Sequence, residues 1–167
     1  MVLGLSLAAF TQLHTIISLI AIATGLMALI AFARGSWLGG LMHLFVWTTV
    51  ATTATGFLFP FNGFTPAIGT GIVSSLVLVV LLAALYKSKL QGSARTVFAV
   101  TAAISLYLNL FVLVVQSFLK IPALHALAPL GTEPPFAAAQ GVVLIASIAL
   151  GYFSVKAARR RTLSFAI

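Results

Sequence analysis

Five long apolar runs follow one another along the chain, separated by basic, glycine and proline residues. A helix that crosses a bilayer needs about 20 mainly apolar residues, because each residue advances it by about 1.5 Å. The pattern therefore predicts an all-α integral membrane protein, a bundle of five transmembrane helices over residues 8–32, 40–59, 67–86, 96–119 and 135–155. Residues 156–167 follow as a basic tail, so residues 1–167 are expected to form a single transmembrane domain.

The basic residues indicate how these helices are oriented. Lys and Arg are enriched in cytoplasmic loops, and eight of the nine fall on one side of the predicted membrane: Arg34, Lys87, Lys89, Arg95, Lys156, Arg159, Arg160 and Arg161. Lys120 is on the other side. The pattern predicts an outer N-terminus and a cytoplasmic C-terminus. Because no Lys or Arg precedes the first apolar run, we expect a retained helix rather than a cleaved signal.

Composition supports a lipid environment and argues against several functions. Of the 167 residues, 62% are hydrophobic and 6% are charged, whereas an ordinary soluble domain is about a quarter charged. The net charge of +8 reflects a shortage of acids, since Glu133 is the single one, and the bases sit at helix ends. Nucleic-acid binding, which needs clustered exposed cations, is therefore not expected. The absence of Cys excludes disulfides and thiolate chemistry.

Two loops on the predicted outer side contain aromatic and proline residues. The first, residues 59–66, includes Phe61 and Phe64, which suit the headgroup region and could cover a site beneath them. The second, residues 120–129, is expected to form a short helix lying on the membrane and carrying His125. Thr132 is the expected cap of the last span. An aromatic interfacial turn is the alternative for the first loop.

Small residues at four-residue spacing indicate where helices approach closely. Such patterns surround Gly71 in the third span, and Gly141 and Gly151 in the fifth. Helix contacts in membranes favour small residues, because lipid supplies no hydrophobic drive for association.

Polar residues within the spans cluster by depth. Most of them fall in the predicted outer half, below the two unusual loops: His14, Thr52, Thr55, Asn109, Gln116 and Gln140. Polar groups are costly in a bilayer, so their convergence favours a ligand pocket covered by the outer loops. The alternative is that they only connect helices, because Asn and Gln bridge helices and Thr hydroxyls bond to their own helix. His43 lies near the cytoplasmic end.

Several loop motifs resemble a known family. Residues 55–67 read Thr-Gly-Phe-Leu-Phe-Pro-Phe-Asn-Gly-Phe-Thr-Pro-Ala, and further matching segments are Tyr107–Gln116, Pro122–Leu124, Ala128–Pro129 and Glu133–Phe136. From the second helix onward the chain resembles small bacterial inner-membrane proteins that have no assigned function. The resemblance implies a multi-pass protein of the bacterial cytoplasmic membrane. The family pattern has a His where this chain has Ile68, which argues against a metal or proton role at that position.

Three functions are compatible with these features. The first is binding of a small amphipathic molecule, a quinone or a lipid, in a pocket open to the outer leaflet. The second is an accessory subunit of a larger membrane complex or a homo-oligomer. The third is a haem b carrier. His14 and His43 are a poor pair of ligands, because they are separated in depth by roughly 10 Å, estimated from helical rise, and His14 could pair with His125 only if the outer loop folded inward. We predict no cofactor, no metal site and no enzyme, because the spans contain neither an ionised carboxylate nor a nucleophile with an adjacent base.

Overall fold

The computed structural model describes residues 1–60, 63 and 66–160, and this part of the chain is helical. Its helices are α1 (Leu7–Ala33), α2 (Gly39–Gly56), α3 (Pro66–Leu82), α4 (Ala94–Lys120), α5 (Pro122–Leu127) and α6 (Pro134–Ala158). A π-turn, Ala83–Lys87, continues α3. No strand is present within the described ranges, where Val2 and Leu5 form an isolated β-bridge. The short helix predicted in residues 120–129 is present as α5.

Four of these helices are long and apolar enough to cross a membrane. They are Leu7–Ala33, Ala67–Lys87, Ala94–Lys120 and Pro134–Ala158. The 18-residue α2 does not belong to this set, because His43 and several threonines and glycines lower its hydropathy. Four candidate spans fit a multi-pass membrane protein. That α2 also crosses the membrane, which would make five spans, and the orientation of the helices stay predictions.

Local side-chain chemistry explains several helix ends. The Ser6 hydroxyl accepts a hydrogen bond from the Ala9 N–H at 3.2 Å and so caps α1. The cap of α6 is Glu133, so the prediction of Thr132 was wrong by one residue. Pro134 has no N–H and suits the first helical position, which moves the cap to the residue before it. Helix α2 ends at Gly56, three residues before the predicted end, where Leu58 N–H bonds to the Thr55 carbonyl in a tighter turn.

The Glu133 carboxylate also orders the loop before α6. It accepts hydrogen bonds from the N–H groups of Leu130 and Thr132, both at 2.9 Å. These bonds, that from Leu130 first, hold the pKa of the Glu133 carboxyl below its usual range. The single acidic side chain of the protein is therefore committed to this turn.

The bundle is built around α1 and α4. Helices α2 and α6 pack on both sides of α1, and α4 contacts α1, α3 and α6. The core lies towards the end of the bundle where the basic residues collect, and includes Phe32, Phe45, Leu85 and Phe98, all fully buried. On α4 at this end, the side chains of residues 98, 99 and 101–103 are buried while Val100 faces outward, whereas residues 107–117 of the same helix are half-buried throughout. Packing is therefore tight at one end and looser at the other.

Glycines allow close contacts at several crossings. A Cβ at Gly71 would lie 2.9 Å from the Phe57 ring, and one at Gly151 would lie 3.3 Å from Ala103 Cβ. These two positions agree with the small-residue pattern. The prediction for Gly141 was wrong, since a Cβ there would meet no atom of the described residues within 4 Å.

The tightest of these contacts is at Gly25, which lies between α2 and α4. A Cβ at this position would lie 2.7 Å from Phe45 Cδ2 and 3.0 Å from Leu106 Cδ1. The Phe45 ring is fully buried and cannot move aside without disturbing the core.

We predict that Gly25→Ala lowers the free energy of unfolding by about 1–3 kcal/mol through overpacking. Gly141→Ala is the matched control, because it makes the same change on an open surface of α6. Equilibrium unfolding in mixed detergent micelles measures both. Equal stability of the two variants would contradict the close approach of α1, α2 and α4.

Candidate functional site

The start of α1 meets the end of α2 in a small cluster of polar and aromatic side chains. The two helices are antiparallel neighbours, so His14 lies beside Thr55, and His14 Nδ1 is 2.8 Å from Thr55 Oγ1. The Phe59 ring lies edge-on to His14, with centroids 5.2 Å apart, and edge-on to Phe10 at 5.0 Å. We call Phe10, His14, Thr55 and Phe59 the His14 cluster.

The hydrogen bonds of Thr55 favour one tautomer of His14. Thr55 Oγ1 is 2.7 Å from the Ala51 carbonyl oxygen, the usual partner of a threonine hydroxyl in a helix, and donates its one hydrogen there. In this arrangement the same hydroxyl oxygen accepts from His14 at 2.8 Å, so Nδ1 carries the hydrogen and Nε2 keeps a lone pair. The cluster can accordingly offer an acceptor to a ligand. Thr52, one turn away on α2, has a buried Oγ1 with no partner among the described residues.

Asn109 and Gln140 connect helices elsewhere in the bundle. Asn109 Nδ2 donates to the fully buried Thr49 Oγ1 at 3.1 Å, which joins α4 to α2. Gln140 Nε2 donates to the Phe111 carbonyl at 3.2 Å, which joins α6 to α4. The Oε1 atom of Gln140 is buried and has no partner within the described ranges.

The remaining predicted site residues are not drawn into these contacts. Gln116 is half-buried, and its side chain makes no hydrogen bond to any residue that the structure describes. His125 lies exposed on α5. Phe61 and Phe64 fall outside the described residues, so the predicted aromatic cover is not described. The structure thus brings His14 together with Thr55 on α2, whereas Asn109 and Gln140 have separate partners.

A groove between α3 and α4 opens in the looser half of the bundle. It has a volume of about 250 Å³ and is lined by Gly69, Thr70, Val73, Tyr107, Leu108 and Phe111. The Tyr107 and Phe111 rings are tilted against each other at 6.2 Å. The Tyr107 hydroxyl makes no hydrogen bond to any described residue. We call this the α3–α4 groove.

Tyr107 is not among the predicted site residues; the aromatic residues predicted to cover a ligand, Phe61 and Phe64, both belong to a loop. The available signal was its position: a phenol near the middle of a long apolar helix has no water to bond to. The hydrogen bond from Gln140 on α6 to the Phe111 carbonyl connects the α4 wall of this groove to α6.

A second polar cluster lies at the opposite end of the bundle. The Tyr86 hydroxyl accepts from Trp47 Nε1 at 3.0 Å and lies 2.9 Å from His43 Nδ1. The His43 and Tyr86 rings stack at 5.7 Å. Tyr86 belongs to the π-turn, a distortion frequently found at functional sites. The sequence marked His43 but not its two partners.

His14 and His43 belong to different clusters, which lie at opposite ends of the bundle. His14 bonds to Thr55, and His43 lies 12 residues before Thr55 on the same helix, which corresponds to about 18 Å. Axial histidines of one haem must ligate a single iron, so His14 and His43 are not placed to share it.

No protein-family model, no curated protein and no solved structure matches the chain. The resemblance based on the loop motifs therefore stays a prediction.

We predict that Asn109 and Thr49 are energetically coupled. In a double-mutant cycle of Asn109→Leu and Thr49→Val, the coupling should be about 0.6 kcal/mol and at most about 1.7 kcal/mol, as for other hydrogen bonds in membrane bundles. Unfolding in mixed micelles gives the four free energies.

The control cycle replaces Thr49→Val by Thr53→Val. Thr53 lies one turn along α2 and bonds to Ser74 on α3 instead. Coupling of Asn109 to Thr53 as strong as that to Thr49 would contradict the assigned pair.

Proposed function

We propose that the chain is a five-span protein of the bacterial inner membrane that binds a small amphipathic molecule, a quinone or a lipid, from the outer leaflet. The α3–α4 groove is the observation that carries this proposal. Its walls are mainly apolar, with hydroxyl groups from Thr70 and Tyr107, and the Tyr107 hydroxyl makes no hydrogen bond to any described residue.

The size of the groove supports a ligand that is only partly enclosed. Sites that enclose a small molecule have volumes of about 300–1,000 Å³, and the groove is smaller, at about 250 Å³. It suits a head group or a short section of chain, with the rest of the ligand in the surrounding lipid. A carbonyl on the head group would accept a hydrogen bond from Tyr107.

The position of the groove supports entry from the outer leaflet. Its α3 wall begins at Gly69, just after the aromatic loop of residues 59–66, which joins the outer ends of α2 and α3 in the proposed topology. Its α4 wall belongs to the half-buried section of that helix. Polar groups of the His14 cluster lie at the same end of the bundle and would serve a head group rather than an acyl chain.

The proposed topology has five spans, so α2 must cross the membrane in addition to the four candidate spans. Its 18 residues correspond to about 27 Å, close to the hydrocarbon thickness of about 30 Å. It packs along α1 and also contacts α3, so its threonines and His43 are partly shielded from lipid. Eight of nine bases lie on one side only if α2 crosses.

We predict opposite accessibility of the α1–α2 and α5–α6 loops. The chain contains no Cys, so Ser36→Cys and Thr132→Cys each introduce one thiol at an exposed loop position. A membrane-impermeant maleimide should label Thr132→Cys in spheroplasts and Ser36→Cys only after permeabilisation. If α2 did not cross, both positions would lie on the same side, and equal labelling would contradict five spans.

We predict that Tyr107→Phe weakens binding of ubiquinone or phospholipid about 2- to 10-fold, the effect of losing one hydrogen bond. Val73→Phe, which fills the groove, should abolish it. Titration by native mass spectrometry in mild detergent measures both.

Matched controls are available on α6, whose outward face is exposed. Tyr152→Phe and Val142→Phe make the same chemical changes at side chains that are 63% and 67% exposed. Binding that is unchanged in the α3–α4 variants, or equally reduced in the controls, would contradict the groove as the site. A stoichiometric protein partner with no bound small molecule would favour the accessory-subunit function instead.

A further inference from the structure

A second and larger cavity lies at the end of the bundle opposite the α3–α4 groove. It is an open cleft of about 490 Å³ between the π-turn, the loop that follows it and the first turns of α4. Lys87, Ser88, Lys89 and Ser93 form its polar side, and Val80 and Val97 belong to its apolar side. We call it the basic cleft.

The loop that carries the two lysines is held in a defined shape. Ser88 N–H bonds to the Ala83 carbonyl at 2.9 Å, and Leu90 N–H bonds to the Ala84 carbonyl at 3.1 Å. Arg95 Nε donates to the Leu90 carbonyl at 2.8 Å, and the Leu90 side chain is buried in the core. Lys89 and Leu90 both adopt left-handed backbone conformations, with φ of +47° and +55°. Because this loop is anchored on both sides, the lysines line the cleft from fixed backbone positions.

The charge in the cleft cannot be neutralised by an acidic side chain of this protein. Glu133 is the only one, and it precedes α6, where it bonds to the N–H groups of Leu130 and Thr132. Neither Lys87 nor Lys89 forms an ion pair within the described residues. No acidic side chain of this protein therefore supplies a counter-charge to the two ammonium groups, which leaves them open to an anionic ligand.

The cleft presents two kinds of surface side by side. Ammonium and hydroxyl groups suit a phosphate, which accepts several hydrogen bonds. The valine and alanine walls would add nothing to binding of a free phosphate ion but would contact an acyl chain. Its volume falls within the range of about 300–1,000 Å³ found for small-molecule sites.

We propose that the basic cleft binds the phosphate head group of an anionic phospholipid, with the start of an acyl chain along Val80 and Val97. Lys87 and Lys89 supply the charge, and Ser88 and Ser93 supply hydroxyl donors. Basic pockets at the cytoplasmic ends of membrane helices bind anionic head groups in this way. The assignment to the cytoplasmic leaflet rests on the proposed topology, whereas the cleft and its chemistry do not.

The test is a lipid titration of delipidated protein in mild detergent, followed by native mass spectrometry. Wild-type protein should retain one phosphatidylglycerol more tightly than phosphatidylcholine. Lys87→Gln with Lys89→Gln should weaken phosphatidylglycerol binding about 30-fold, given the usual contribution of each basic residue near a membrane surface.

The matched control is Lys156→Gln with Arg159→Gln, which removes the same charge from exposed positions at the end of α6. It should change binding less than about 2-fold, because neither side chain lines the cleft and exposed charges that make no direct contact are largely screened. An equal loss in the control, or no preference for phosphatidylglycerol in the wild type, would overturn the proposal.

Two further measurements distinguish a phospholipid head group from a free phosphate ion as the ligand. Val97→Trp narrows the apolar wall while keeping both lysines and should lose the bound lipid. Inorganic phosphate at millimolar concentration should not displace phosphatidylglycerol. Displacement by phosphate, or full lipid binding by Val97→Trp, would show that the site takes a free anion or none, and would overturn the assignment to a lipid. Circular dichroism of each variant checks that the helices are retained.

Discussion

Three helices meet at Gly25, and the absence of a side chain there allows the Phe45 ring and Leu106 to close the gap. In lipid this contact matters more than in water, because helices associate through packing rather than through a hydrophobic drive. The close approach places α1 between α2 and α4 at the end where Phe32, Phe45 and Phe98 are buried. With that end closed, the other end of α4 is left less covered, and the α3–α4 groove lies along it.

The helices could be predicted from the sequence because a transmembrane run is a matter of length and hydropathy, both of which are local. The observed bounds of α1, α4 and α6 lie within about three residues of the predicted ones. The shorter α2 shows where this reasoning weakens: its threonines and His43 lower its hydropathy, yet they bond to neighbouring helices and to its own carbonyls. A hydropathy scale does not include these hydrogen bonds, which offset the cost of placing the polar side chains in lipid.

The candidate site was harder to predict, because the hydrogen-bond partner of each side chain depends on how the helices pack against one another. Depth placed His14 and Thr55 at the same level, and the structure joins them. The depth of a residue in the membrane could not indicate that Asn109 would donate a hydrogen bond to Thr49, or that Gln140 would donate one to a backbone carbonyl. It also gave no indication of the basic cleft, which depends on the fold of the loop at Lys89 and Leu90.

The π-turn at Ala83–Lys87 has a consequence for the direction of everything that follows it. Closing a turn from i to i+5 rather than i+4 adds one residue, which offsets the helix by about 100° of rotation. Within this turn Tyr86 bonds to Trp47 and Lys87 lines the cleft, while the turn also contacts α4. The extra residue of the π-turn therefore rotates the polar end of the helix relative to the packing register of the span.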